Sequence, residues 1–348
     1  MTVRVNKSSF NIREKLSELG RKFGLKGSEL IAAETVQDAR DLVSAGRRNV
    51  IINGNFNIWQ RGTSTTGALS NAYGSADRWM FNTRSLTTKN ISRQAFTNGQ
   101  TDVPGNPLFY LRFETSNDSG TPNGAYMMQR IEDVRFGSGE DITVSFYAKA
   151  NSGGGSFTVG FSQQFGSGGS GATDNVAGSF IPTSSWKKYS FTISLPSISG
   201  KTIGTNNYLR LDIRFPSNTA VTLDISKIQV ERGRNATDFE HRSIGEELAL
   251  CKRYYQKIGD TATNEITLGG YSVSGSQIYH SIQLPVEMRV VPNLSQVGSL
   301  YAVRSNQPGS LNSHVGRKGF GVSWSTTGDG NYLLASNANA YFVLDAEL

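Results

Sequence analysis

The chain has 348 residues, 37% of them hydrophobic and 10% aromatic, which is enough to bury a core and too much for a disordered segment. A single cysteine excludes an intrachain disulfide framework, no apolar run is long enough to span a bilayer, and the first seven residues lack the apolar stretch of a secretion signal. Of the net charge of +7, residues 1–48 carry +4 (ten Lys and Arg against six Asp and Glu), leaving +3 for the other 300 residues. No basic face interleaved with stacking aromatics is evident, so nucleic-acid binding is not expected.

Two short helices are expected in 1–48. Asn11 and Glu14 have capping spacing, and Ile12, Leu16, Leu19 and Phe23 form one apolar stripe. Thr35 and Asp38 repeat that spacing before Val36, Ala39, Leu42 and Val43, with Gly46 placed to end the second helix. Helices this short do not stand alone in water, so they pack on their own β domain or dock on copies or a larger assembly. At 49–64 the pattern changes. Val50, Ile52, Phe56 and Ile58 share one parity and Asn53, Asn55 and Asn57 the other, which predicts a first strand whose Asn face meets solvent or a subunit. Its expected neighbour is 221–231, where a phase slip from Ile225 to Ile228 predicts a bulge near Ser226 and Lys227.

Further strands are predicted at 78–84, 89–96, 109–113, 126–131, 142–148, 157–165, 189–195 and 209–215. The Gly-rich stretches 153–155 and 166–171 read as surface loops. Ser243 and Glu246 form a capping box that opens a linking helix over 243–259, with Ile244, Leu248, Cys251 and Tyr255 as its apolar stripe. Strands at 265–273, 277–288, 294–304, 320–325 and 341–344 complete a small C-terminal β unit. The fold class is therefore mainly β. It consists of an N-terminal helical segment (1–48), an antiparallel β-sandwich of jelly-roll type (49–242), a linking helix (243–259) and a smaller C-terminal β-sandwich (260–348).

Catalytic motifs are missing. Ser199-Gly200-Lys201-Thr202 has Leu195 where a phosphate loop needs glycine, and Gly270 to Gly275 has Ser274 where a nucleophile elbow needs one. His241, His280 and His314 lack ligand spacing, so neither a metal nor a cofactor is expected, and Cys251 reads as a buried small hydrophobe. Glu132-Asp133 and Glu140-Asp141 are carboxylate pairs, but adjacent strand residues face opposite ways, so a sugar-cleaving dyad would have to come from distant strands. Tyr147, Tyr208 and Trp59 lie on the parity opposite the core, with Arg210 and Arg214 beside Tyr208. Rings so placed can stack on sugar faces or fill a subunit seam.

Several stretches resemble a family of bacteriophage tail-fibre and virion adhesin proteins: 49–64, Ala76-Asp77-Arg78-Trp79, 143–150, Ser185-Trp186-Lys187-Lys188-Tyr189, 228–233, 236–242 and, most specifically, 245–256. The resemblance implies a jelly roll related to carbohydrate-binding modules, a homotrimer, synthesis in a bacterial host cytoplasm and a place on the virion. It also implies host attachment through surface polysaccharide or lipopolysaccharide, without enzymatic activity or membrane insertion. Residues 1–48, through Ile12, Leu16, Leu19, Phe23, Val36 and Leu42, would then anchor the chain to other virion proteins. A structural or decorating virion protein and a glycan depolymerase are the alternatives.

Overall fold

A computed structural model describes residues 48–67, 69–83, 89–115, 125–152, 155–216, 219–259, 265–272, 277–302, 312–325, 329–337 and 339–348. The proposed anchoring residues Ile12, Leu16, Leu19, Phe23, Val36 and Leu42 lie outside the described residues.

Period-two alternation builds the first β unit from β1 (Ser64–Thr66), β2 (Ser70–Tyr73), β3 (Met80–Asn82), β4 (Lys89–Ala95), β5 (Phe109–Thr115), β6 (Tyr126–Glu132), β7 (Asp141–Ser152), β8 (Phe157–Gln164), β9 (Thr173–Phe180), β10 (Lys187–Ser194), β11 (Tyr208–Arg214) and β12 (Val221–Arg232). They form two six-stranded antiparallel sheets. Sheet A has the order β1-β4-β5-β12-β7-β10 and sheet B the order β2-β3-β6-β11-β8-β9. Val144 and Phe146 of sheet A and Leu209, Leu211 and Ile213 of sheet B are completely buried in the shared core. Each such side chain contributes roughly 1.5–3 kcal/mol by leaving water. Edge-on rings consolidate the layer, with Phe146–Phe180 at 5.1 Å and Phe157–Phe215 at 4.9 Å between centroids.

The bulge in β12 is where the phase slip places it. Register with β7 shifts between Ser226 and Gln229, and Lys227 takes the left-handed φ of 53° that absorbs the extra residue. Ile225 and Ile228 are thereby both buried.

The 49–64 stretch does lie beside β12, with Val50 N donating to Val230 O (3.1 Å) and Ile228 N to Gly54 O (2.9 Å). It is not a strand, however. Asn53 and Phe56 adopt φ of 57° and 55°, and regular structure begins only at Ser64. The Asn face is also corrected, because Asn49, Asn53 and Asn55 are buried. Asn53 ties the loop together, its Nδ2 donating to the Ile58 and Asp77 carbonyls (2.8 and 3.0 Å) and its Oδ1 accepting from Ile58 N (3.0 Å). Gly54 is required there, since a Cβ would sit 2.1 Å from the Ile228 carbonyl oxygen.

The linking helix α1 (Ile244–Lys252) is shorter than the sequence suggests, and its capping box is present. Its buried residues are Glu247 and Cys251, while Ile244 is exposed. Glu247 accepts from Asn53 N (2.5 Å) and Arg242. Tyr255 belongs not to the helix but to β13 (Tyr255–Ile258). The C-terminal unit continues with β14 (Thr267–Ser272), β15 (Gln277–Gln283), β16 (Asn293–Val297), β17 (Leu300–Ala302), β18 (Asn312–Val315), β19 (Gly319–Ser325), β20 (Gly330–Ser336) and β21 (Tyr341–Asp345). These strands make three three-stranded antiparallel sheets, β13-β21-β16, β14-β20-β17 and β15-β19-β18, around Phe320, Trp324, Leu334 and Leu344.

Candidate functional site

Sheet A turns an aromatic and charged face away from the core. On β5, Leu111 and Phe113 point inward, so Tyr110 and Arg112 point outward. Trp186, just before β10, lies over the same face, its ring 5.2 Å from both Tyr110 and Phe96. Beneath this cluster, Asp224 of β12 is paired on one side with Arg112 (2.7 Å) and on the other with Lys149 (3.7 Å), whose ammonium is 5.3 Å from the Trp186 ring. The result is a half-buried three-ring platform with an ion-paired polar edge, two cations about one carboxylate.

One row along, Tyr147 pairs in register with Lys188 of β10 and Ser226 of β12. Tyr147, Lys188, Lys227, Asp238, Phe239, Pro104 and Gly105 line a recess of about 260 Å3. Burial, then the nearby Asp238 carboxylate, raises the Tyr147 pKa.

The other expected ligand residues are elsewhere. Tyr208, Arg210 and Arg214 are on β11 of sheet B, which pairs with β6 and β8, so the structure does not bring them together with Tyr147. Arg210 is held by Asp212 through two bonds (2.7 and 2.9 Å), and Arg214 reaches the same carboxylate at 3.5 Å. The Arg130 guanidinium lies over the Tyr208 ring at 4.7 Å. Burial raises the Asp212 pKa despite these guanidiniums. Trp59 is a correction, because it is only 9% exposed, packs in the core and donates its indole N–H to Phe56 O. The local kink at Phe56 turns it inward.

Phe96, Tyr110 and Trp186 are not among the ligand residues expected from the sequence. The alternation of Tyr110 and Arg112 against Leu111 and Phe113 was the available signal. Nothing in the pattern shows Trp186 folding across the sheet.

Residues 110–206 match the family model described as a carbohydrate binding domain. That stretch contains Tyr110, Tyr147 and Trp186. No curated protein matches the chain. Among solved structures, it is similar to one titled "CBM4 structure and function", at 17% identity over 52% of this chain and 98% of that one, with a TM-score of 0.34. It is also similar to the CBM22-1 xylan-binding domain of Paenibacillus barcinonensis Xyn10C (10% identity, 55% of this chain, 100% of that one, TM-score 0.32). A third is the enzymatically active domain of bacteriophage CBA120 tailspike protein 4 (10% identity, 53% of this chain, 21% of that one, TM-score 0.33). At these scores the three structures carry no argument about function.

The carboxylate pairs weighed for catalysis are each tied to arginine: Glu132 to Arg253 (3.0 Å), Asp133 to Arg135 (3.0 Å), Glu140 to Arg232 (3.3 Å) and Asp141 to Arg234. Among the described residues there is no group of three or more His, Cys, Asp and Glu able to hold a metal, and no helix long and apolar enough to cross a membrane. Cys251 is buried, which raises its pKa well above that of a free thiol.

Proposed function

We propose that this chain binds glycan, without cleaving it, through the outer face of sheet A. The observation that carries this reading is the Phe96–Tyr110–Trp186 platform beside the Tyr147 recess, of which Tyr110, Tyr147, Trp186 and Lys188 lie within the segment that matches a carbohydrate binding domain. Flat rings offer apolar area to the C–H face of a sugar, while Arg112, Lys149 and Asp224 supply fixed polar partners for hydroxyls. The resemblance of 49–64 and 245–256 to phage adhesins supports a finer reading. In that reading the chain is a trimeric virion appendage, mounted through residues 1–48, whose ligand is host-surface polysaccharide or lipopolysaccharide.

The test is binding of the purified full chain to host lipopolysaccharide and capsular polysaccharide by calorimetry. Trp186→Ala is expected to weaken binding roughly thirtyfold, about 2 kcal/mol, with thermal stability checked in parallel. Unchanged affinity in a folded Trp186→Ala protein sinks the assignment of this face. Failure of the wild-type chain to bind any such polysaccharide sinks the function.

A further inference from the structure

At the platform both cations contact the Asp224 carboxylate directly, whereas in the Tyr147 recess the two ammoniums are hydrogen-bonded to carbonyl oxygens instead. The lining of the recess holds these two ammoniums, Lys188 and Lys227, and one carboxylate, Asp238. Lys188 Nζ donates to the Thr237 carbonyl (3.0 Å) and Lys227 Nζ to the Pro104 carbonyl. Those partners are neutral. Each ammonium has three donors, so the bonds to carbonyl oxygen leave both charge and donors to spare.

Lys227 is built into this position. It is the extra residue of the β12 bulge, at left-handed φ, and bulges re-aim side chains beside binding sites. It is 8% exposed, and burial lowers its pKa. Gly105, at φ 74°, makes room for it, because a Cβ there would lie 2.9 Å from Lys227 Nζ. On its far side Lys227 also lines a second recess of about 240 Å3, shared with Asn55, Asn57, Phe239 and His241. Asn55 is 5% exposed, and the side-chain oxygens of both Asn55 and Asn57 are buried without a hydrogen-bond partner. Unpaired buried amide oxygens cost free energy that a hydroxyl-bearing ligand would recover.

We infer that the glycan bound on sheet A is acidic, with a uronate-type carboxylate seated between Lys188 and Lys227 and its hydroxyls reaching the Asn55 and Asn57 amides. This rests on the glycan-binding reading above and narrows its ligand to sugar acids.

The experiment uses the full chain against polygalacturonate, alginate and hyaluronan, each beside its carboxyl-reduced form, with dextran sulfate as a generic polyanion and host polysaccharide as reference. The native polymer is expected to bind about tenfold or more tightly than its reduced form in at least one pair, with the gap narrowing at high salt. Lys188→Met is expected to abolish that preference, whereas Trp186→Ala weakens binding to both forms alike. Gly105→Ala, which displaces the Lys227 ammonium without removing it, should reduce the preference as well. Equal binding of native and reduced forms overturns the acidic ligand and leaves glycan binding standing. So does a preference that survives Lys188→Met, or dextran sulfate bound as tightly as the uronates. Binding to host polysaccharide with none of the panel bound also overturns it. Absence of binding to panel and host polysaccharide alike overturns both readings.

Discussion

Asn53 shows how one residue converts an apparent strand into a buried loop. Its alternation with Ile52 and Gly54 looks like an exposed strand position, yet its side chain makes three hydrogen bonds inside the protein and its backbone carbonyl accepts the Trp79 indole N–H (3.0 Å). Asparagine tolerates left-handed φ better than other residues with a Cβ. Asn53→Ala is therefore expected to lose at least about 3 kcal/mol in urea unfolding, from stranded polar groups and an unfavourable φ together. Asn53→Gly, which keeps the φ and loses only the hydrogen bonds, should fall short of that by about 1–2 kcal/mol. Equal losses would show that φ contributes nothing. The same residue marks the limit of pattern reading. Period-two parity reports which side chains could share a face, but a polar side chain that satisfies itself in the interior carries no hydropathy signal. Trp59, three residues beyond Phe56, is buried for a different reason: the left-handed φ at Phe56 breaks the parity count.

Among the elements, those that alternate cleanly were legible. β4, β5, β6, β7, β8, β10 and β11 fall within a few residues of expectation, and the bulge in β12 follows from two isoleucines out of phase. β9 carries little sequence signal, because Thr173 to Phe180 holds few apolar residues and lies at the edge of sheet B, where only one neighbour constrains it. α1 is shorter than its pattern because the register of Tyr255 suits a helix stripe, whereas its strand partner Asp345 is ninety residues away and has no local signature. The helix joins the first β unit through Arg253, next to its last turn, and Glu132 at the end of β6. Burial acts to raise the Glu132 pKa, but hydrogen bonds from Arg253 and Tyr254 outweigh it and hold the carboxyl below its ordinary value. A depressed carboxyl stabilises the fold above the unfolded-state value of about 4.3, and this is lost as pH falls through the lower folded value. Chemical denaturation from neutral pH down to about pH 3 should show wild type more stable than Glu132→Gln at neutral pH, with the two curves converging in acid. Parallel curves would mean that the Glu132–Arg253 pair contributes nothing to folding.

For the whole molecule, the central question is what fixes the C-terminal β unit against the first β unit, since the orientation of the two decides which surfaces of each stay open. The answer lies after β21. Glu347 is ion-paired with Arg78 and with Arg61 (3.1 Å), while Arg130 and the Tyr73 hydroxyl donate to the Leu348 carbonyl. Tyr254 and Tyr255 lie under these guanidiniums, at 3.4 Å from Arg78 and 3.6 Å from Arg61. Arg78 is 1% exposed. Burial alone would lower its pKa, but Glu347 and the tyrosines reverse this and leave it raised, and burial in the same seam pushes the Tyr73 pKa up to about 12. Removing one partner of a buried pair strands the other, at a cost of about 3–5 kcal/mol, far beyond that of a surface pair. Glu347→Ala should therefore release the seam locally: hydrogen exchange is expected to accelerate in β13 and β21, which pair with each other, while β7 and β12 in the first unit keep their protection. Glu347→Gln, which keeps an acceptor for Arg78 but not the charge, should fall between the two. Exchange that rises equally in both β units would show the chain unfolding as one cooperative body, and no change in β13 would show that the seam is held by packing, with the ion pair adding nothing.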